Sequence, residues 1–184
     1  MFNGISLALI MASICLVVLF AISAIVNRVL GPLVETPSDV LDEIVEAFDL
    51  DSNDKFIDLG SGYGGVVLKA YEKSRCKCIG YDISPIPVMV SRIRKAVKFP
   101  MKKSISFDLA DIFSVDLSDS TKVYCYLNKD SLEILRKSLA VVVDSGGSVY
   151  SYMHPIPKMK EAKVLELRNG SNLYVYSHSR KKSL

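Results

Sequence analysis

Hydrophobic and polar positions divide this chain into two unequal parts. From Ile5 to Val26 only Ser6, Ser13 and Ser23 interrupt an apolar run of 22 residues, and no charged side chain precedes Arg28. At about 1.5 Å of rise per residue, a helix of that length covers about 33 Å and matches the roughly 30 Å hydrocarbon core of a bilayer. The run has no polar face, which sets it apart from the core helix of a soluble domain. A cleaved signal peptide is the competing reading, because Ala21-Ile22-Ser23 has the small-residue form of a cleavage site. However, no Lys or Arg leads the run, and it is long for such a segment. The pattern therefore predicts a transmembrane anchor over residues 1–30, ended by Gly31-Pro32, and one soluble domain over residues 31–184. Arg28 follows the span and nothing basic precedes it, so the expectation is a single-pass membrane protein with a cytoplasmic domain.

Beyond the anchor the apolar period alternates between helix and strand. Thr36-Pro37-Ser38-Asp39 reads as a helix start with Thr36 as N-cap, after which Val40, Leu41, Ile44, Val45 and Phe48 share one face. Residues 55–59 form a strand closed by Gly60-Ser61-Gly62-Tyr63-Gly64-Gly65, and 66–73 continue as a helix. A second strand over 76–81 ends at Asp82. Ser84-Pro85 then opens a helix whose Ile86, Met89, Val90, Ile93 and Val97 are expected inward. Further strands are expected at 104–107, 122–126 and 149–152, with a helix over 130–142. The runs 163–167 and 172–176 flank Arg168-Asn169-Gly170-Ser171, a hairpin signal. Strands alternating with helices and closing on a hairpin predict an α/β, Rossmann-like fold. Its sheet is open and mostly parallel, with helices on both faces. In such folds ligands bind beyond the carboxyl ends of the strands.

Composition narrows the function. Apolar residues reach 49% and Cys numbers four, which excludes a disordered chain and a disulfide scaffold. The 23 Lys and Arg against 20 Asp and Glu leave a net charge of +3, too little for a nucleic-acid footprint. Between Arg92 and Lys103 there are six basic residues and no acidic one, either a lipid-binding patch or an ordinary solvated helix face. Cys76 and Cys78 are expected on opposite faces of their strand, and no metal site is expected.

The candidate chemistry sits at the strand ends. Gly60 and Gly62 permit positive φ and let a ligand lie against backbone N–H groups. Gly60, Gly62 and Gly65 also match GxGxxG, which leaves a nicotinamide-dependent oxidoreductase open. Asp58 argues against it, because a carboxylate there repels a pyrophosphate and suits a cationic, amine-bearing ligand. Asp82 is placed to accept hydrogen bonds from both hydroxyls of a ribose. Asp111 is placed to accept from an adenine amine, with Ile112 and Phe113 against the ring. Each Asp singly reads as a loop or capping residue; jointly, at four loops on one rim, they supply what an adenosine ligand requires.

The run KFIDLGSGYGGVVLKA (residues 55–70) resembles the first motif of class I S-adenosylmethionine-dependent methyltransferases. YDISP (81–85), FDLADIF (107–113) and VYCYLN (123–128) resemble the second, third and fourth. With the apolar N-terminal helix and the Thr36-Pro37 segment, the chain resembles the membrane-anchored lysine methyltransferases typified by the ATP synthase c-subunit lysine N-methyltransferase and its small prokaryotic relatives. The resemblance covers about residues 34–152. It implies S-adenosyl-L-methionine as cofactor, held by Asp58, Gly60, Ser61, Gly62, Gly64, Asp82, Ile83, Asp111 and Ile112. It departs at Tyr63, where an acidic residue is usual, at Gly65, where Arg is common, and in the short segment between the fifth and sixth strands. Tyr126 and Asn128 are the residues expected to face the methyl acceptor; their bland roles are packing and helix capping. The Asn-Pro-Pro-aromatic motif of base-amine methyltransferases is absent. The expected partner is thus a protein substrate at or near a membrane, not nucleic acid. A membrane-bound nucleotide-binding module without catalysis is the alternative from another class.

Overall fold

The computed structural model describes residues 4–30 and 35–178; Gly31-Pro32 and the basic terminus Arg180-Lys181-Lys182 lie outside the described residues. Helix α1 (Gly4–Leu30) is followed by α2 (Leu41–Ala47), β1 (Lys55–Leu59), α3 (Gly65–Ser74), β2 (Lys77–Asp82), α4 (Pro85–Lys98) and β3 (Ile105–Leu109). After a 3-10 turn at Ile112–Ser114 come β4 (Lys122–Cys125), α5 (Lys129–Asp144), β5 (Ser148–Tyr152), β6 (Lys163–Glu166) and β7 (Asn172–Ser177). The strands form one sheet in the order β3-β2-β1-β4-β5-β7-β6. The first five are parallel, and β7 runs antiparallel between β5 and β6. The strand order reverses between β1 and β4, which opens a crevice at their carboxyl ends.

Alternation along the strands builds two cores. Phe56, Cys78, Ile105, Tyr124 and Tyr150 pack against α2, α3 and α4, whereas Ile57, Val123, Val149 and Tyr176 pack against Leu132, Leu135 and Leu139 of α5. Phe48 pins α2 to the sheet, its ring centroid 4.8 Å from Tyr150 and 5.1 Å from Phe56. On the α5 side, residues 153–162 contain no helix, so that face is closed by α5 and irregular chain.

Three expectations need correction. Thr36 does not cap a helix: α2 begins at Leu41, with Val40 at the cap position. The Thr36 hydroxyl instead lies 2.8 Å from the buried Tyr124 phenol oxygen, which would otherwise be unpaired in the core. Cys76 and Cys78 share a face, with their sulfurs 3.4 Å apart, because residues two apart on an extended chain point the same way. The apolar stripe of α4 points outward. Pro87, Val88 and Ser91 are buried, whereas Met89, Ile93 and Val97 are 43%, 57% and 80% exposed. The period was right and the direction wrong, because β2 and β3 receive α4 through its small Pro87–Ser91 face.

Candidate active site

Backbone hydrogen bonds stitch the loops at the carboxyl edge into one rim. The N–H groups of Gly60 and Ser61 both donate to the Tyr81 carbonyl at 2.8 and 2.9 Å, tying the loop after β1 to the end of β2. Gly62 N donates to Asp82 Oδ2 at 2.9 Å, and Ser84 N donates to Asp82 Oδ1 at 2.8 Å. Ala110 N donates to the Asp82 carbonyl at 3.0 Å and brings in the loop after β3. The loop after β4 arrives through Leu127, whose Cδ2 lies 3.1 Å from where a Gly60 side chain would begin. Gly60 and Gly64 have φ of +81 and +79, conformations that favour glycine. At Gly64 a Cβ would also meet the Phe107 ring at 2.6 Å.

Asp58 and Asp82 are 3% and 4% exposed. Burial, and secondarily the charge of Asp82, holds the Asp58 carboxyl well above the usual carboxylate range. Asp82 is oriented by its two backbone donors and keeps lone pairs for further donors, as a carboxylate accepts about four hydrogen bonds. Asp111 is exposed, and its Oδ1 accepts from Phe113 N at 3.0 Å, so this carboxylate caps the turn that carries the buried Ile112. Ile83 is half-buried between Asp82 and Ser84. The Ser61 hydroxyl is buried without a hydrogen-bond partner. That orphaned donor, a glycine-lined loop and a buried carboxyl beside a second one fit a polar, cationic adenosyl ligand, whose charge would favour ionisation of Asp58.

The structure separates the two residues expected at the acceptor. Tyr126, just after β4, is half-buried, and its ring centroid lies 4.7 Å from that of Tyr152 at an interplanar angle of 71°. Burial and then Tyr152 push the Tyr126 phenol above its usual range, so it stays protonated at neutral pH. Asn128 is exposed at the N-terminus of α5, where its Oδ1 accepts from Ser131 N at 2.8 Å. It thus acts at least as the helix cap.

Tyr152 was missed by the sequence reading as a site residue. Its buried phenol oxygen accepts from Ser171 Oγ at 2.9 Å and Asn169 Nδ2 at 3.3 Å, so the β6–β7 turn braces the aromatic pair. Tyr152 was legible as a strand end and Asn169–Gly170 as a turn; nothing in the sequence pairs them.

A sheet in this order with such a rim defines the class of Rossmann-like S-adenosylmethionine-dependent methyltransferases. Within that class the chain belongs to the family of the ANTKMT methyltransferase domain, whose model matches residues 58–163. The glycine loop is therefore that of a methyltransferase and not of a nicotinamide-binding unit.

The chain is 29% identical over 111 residues to the adenine nucleotide translocase lysine N-methyltransferase of Mus musculus, covering 60% of this chain and 48% of that protein. It thus spans about half the length of the mouse relative. To a protein-lysine N-methyltransferase of Saccharolobus islandicus it is 26% identical over 153 residues, 79% of this chain and 92% of that one. The solved structure of an RNA methyltransferase from Salinibacter ruber in complex with S-adenosyl-L-homocysteine matches with a TM-score of 0.70 and 26% identity. That match covers 82% of this chain and 99% of the other.

Proposed function

We propose that the chain is a protein-lysine N-methyltransferase that takes its methyl group from S-adenosyl-L-methionine and acts on a protein at or near a membrane surface. The observation that carries the chemistry is the rim itself: a glycine loop between buried Asp58 and buried Asp82, with Gly62 donating to Asp82. The observation that carries the location is α1, in which Ala8–Ile25 is long and apolar enough to cross a bilayer and is not buried by the rest of the chain. In this reading residues 1–30 are the anchor of a single-pass protein, and residues 31–184 are its catalytic domain on the cytoplasmic side.

The bound cofactor would supply a methyl group already activated on a sulfonium. The chain's own task is alignment and exclusion of water. Asp58, Gly60, Ser61, Gly62 and Gly64 would hold the amino-acid end, with Asp58 ionising as it meets a cationic amine. Asp82 and Ile83 would hold the ribose, and Asp111 and Ile112 the adenine. Tyr126 would face the acceptor. Its protonated phenol can accept a hydrogen bond from a lysine amine, and its ring, braced by Tyr152, gives a low-dielectric wall that favours the neutral amine. Asn128 would fix that wall by capping α5.

Incubating the full chain in proteoliposomes with methyl-labelled cofactor and membrane extracts tests the reading. Label is expected in methyl-lysine of membrane proteins, removed by protease, and lost in Asp82→Ala. Label sensitive to ribonuclease, favoured by the Salinibacter ruber similarity, would overturn the protein substrate. Cofactor binding without transfer to any extract would leave the nucleotide-binding module as the better reading.

A further inference from the structure

The outward stripe of α4 leaves three large apolar side chains of one helix in solvent. Met89, Ile93 and Val97, one helical turn apart, stand exposed along a single line. Met89 and Ile93 line a groove of about 380 Å³ together with Pro85, Arg92, Ala96 and Leu109. Arg92 and Arg94 lie on either side of the stripe, about 100° of helical turn from Ile93. Exposed Met101, Lys102 and Lys103 continue the pattern past the helix end. The arginines are held in place: Arg92 Nε donates to the Phe107 carbonyl and Arg94 Nη1 to the Tyr63 carbonyl, both at 2.7 Å. Arg92 also approaches Asp108 at 3.9 Å, and Lys98 pairs with Glu72 at 2.8 Å. Lys95, Lys102 and Lys103 enter no ion pair among the described residues.

We propose that α4 is a second membrane-contacting element, laying Met89, Ile93 and Val97 into the headgroup–acyl boundary of an anionic bilayer. An apolar face bounded by cations is the pattern of a helix lying in that boundary. Two observations select lipid as the occupant. Helix α1, which carries the membrane-length segment, comes into contact with α4, which puts the stripe near the side of the domain where a bilayer would be. The flanking charge is basic, which attracts anionic headgroups, whereas a second copy docked symmetrically through this face would bring like charges together. The inference rests on α1 crossing the membrane, and the test separates the two.

The native chain contains no Trp, so single substitutions report cleanly. Ile93→Trp on α4, Phe20→Trp on α1 and Ile134→Trp on α5 all replace exposed side chains. Each full-length variant is reconstituted into vesicles of phosphatidylcholine with phosphatidylglycerol, containing brominated phosphatidylcholine as a quencher. The Phe20→Trp indole is expected to be quenched throughout, and the Ile134→Trp indole not at all. The Ile93→Trp emission is expected to shift to the blue and lose most of its intensity, and to recover when phosphatidylglycerol is omitted or salt is raised. A Val97→Asp substitution in the Ile93→Trp background is expected to restore the unquenched signal. An Ile93→Trp indole as unquenched as that of Ile134→Trp, with Phe20→Trp still quenched, overturns the proposal and leaves the anchor standing. Absence of quenching at Phe20→Trp as well overturns both. A blue shift without quenching that grows with protein density assigns the face to a second copy and also overturns it.

Discussion

Replacing Asp58 by Asn should stabilise the ligand-free protein while weakening cofactor binding. In the unfolded chain this carboxyl titrates near 3.8; in the fold its value lies well above that, through burial first and the charge of Asp82 second. The unfolded group therefore gives up its proton at lower pH than the folded group. Stability from this residue is complete below the unfolded value and is lost as pH rises, until the folded carboxyl has also ionised. Each unit of upward displacement corresponds to about 1.4 kcal/mol, and for a chain of this length each kcal/mol moves Tm by about 2–4 °C. Asn keeps the shape and removes the charge, so ligand-free Tm should rise at neutral pH and its decline with pH should flatten.

Binding responds oppositely. A charge-assisted hydrogen bond to the ligand's amine contributes about 1.5–3 kcal/mol, so the variant should bind about 10- to 150-fold more weakly. At a ligand concentration of about 100 Kd the wild type gains about 2.7 kcal/mol, or about 5–11 °C. A variant about 30-fold weaker gains about 0.9 kcal/mol and about 2–4 °C under the same conditions. Thermal denaturation across a pH series, with and without S-adenosylhomocysteine, reads both effects. A variant with lower ligand-free Tm and an undiminished ligand shift would refute the argument, showing Asp58 to be a structural carboxylate that the ligand never meets.

Neighbouring glycines should behave differently. Gly64→Ala combines a φ of +79 with a Cβ 2.6 Å from the Phe107 ring, and urea denaturation should show a loss of about 2–4 kcal/mol; at Gly65 a Cβ meets nothing within 4 Å, and Ala should change stability by less than about 1 kcal/mol. Thr36→Val leaves the buried Tyr124 phenol unpaired and should cost about 1–3 kcal/mol, most of it recovered when Tyr124→Phe is added, as a double-mutant cycle will show. Tyr126→Phe should lower kcat about tenfold or more without changing affinity for S-adenosylhomocysteine in calorimetry; an unchanged kcat would leave the ring, and not the hydroxyl, as the contribution of this residue.

The parallel strands and their glycine loop were legible because each signal is local. Residues 55–59 were read with the boundaries that β1 has, since an apolar run meeting Gly60 and Gly62 has one reading. Asp82 was placed at the end of the second strand, and Asp111 in the loop after the third, by the same logic. What escaped was pairing across the chain. Thr36 looks like an N-cap in sequence; only the fold places Tyr124, 88 residues later, over its hydroxyl. Tyr152 joins Tyr126 and Ser171 by register between strands, which no local pattern encodes. The α4 stripe shows a further limit: periodicity reveals that apolar residues share a face, and what that face meets is decided by neighbours. Cys76 and Cys78 were misplaced for a simpler reason, since an interval of two along an extended chain keeps side chains on one side.

The outward stripe and the rim are parts of one rigid connection. Asp82 closes β2, its Oδ1 accepts from Ser84 N, and α4 begins at the next residue, Pro85. A 14-residue helix is about 21 Å long, so the Asp82 carboxylate, proposed to hold the ribose, and the far end of the proposed membrane face are separated by no more than a helix length. Arg94 adds a second tie by donating to the Tyr63 carbonyl inside the glycine loop. A helix so joined cannot settle on a bilayer without carrying the cleft with it. If α4 lies in the headgroup region, the cleft is held beside the surface by a rigid element in addition to the anchor proposed for α1. Acceptor lysines should then be restricted to the membrane-proximal segments of their proteins. Lengthening the segment between residues 30 and 35 with a flexible insert should leave that restriction in place, whereas Ile93→Asp should relax it toward lysines farther from the bilayer. The reverse outcome would assign the selection to the tether alone.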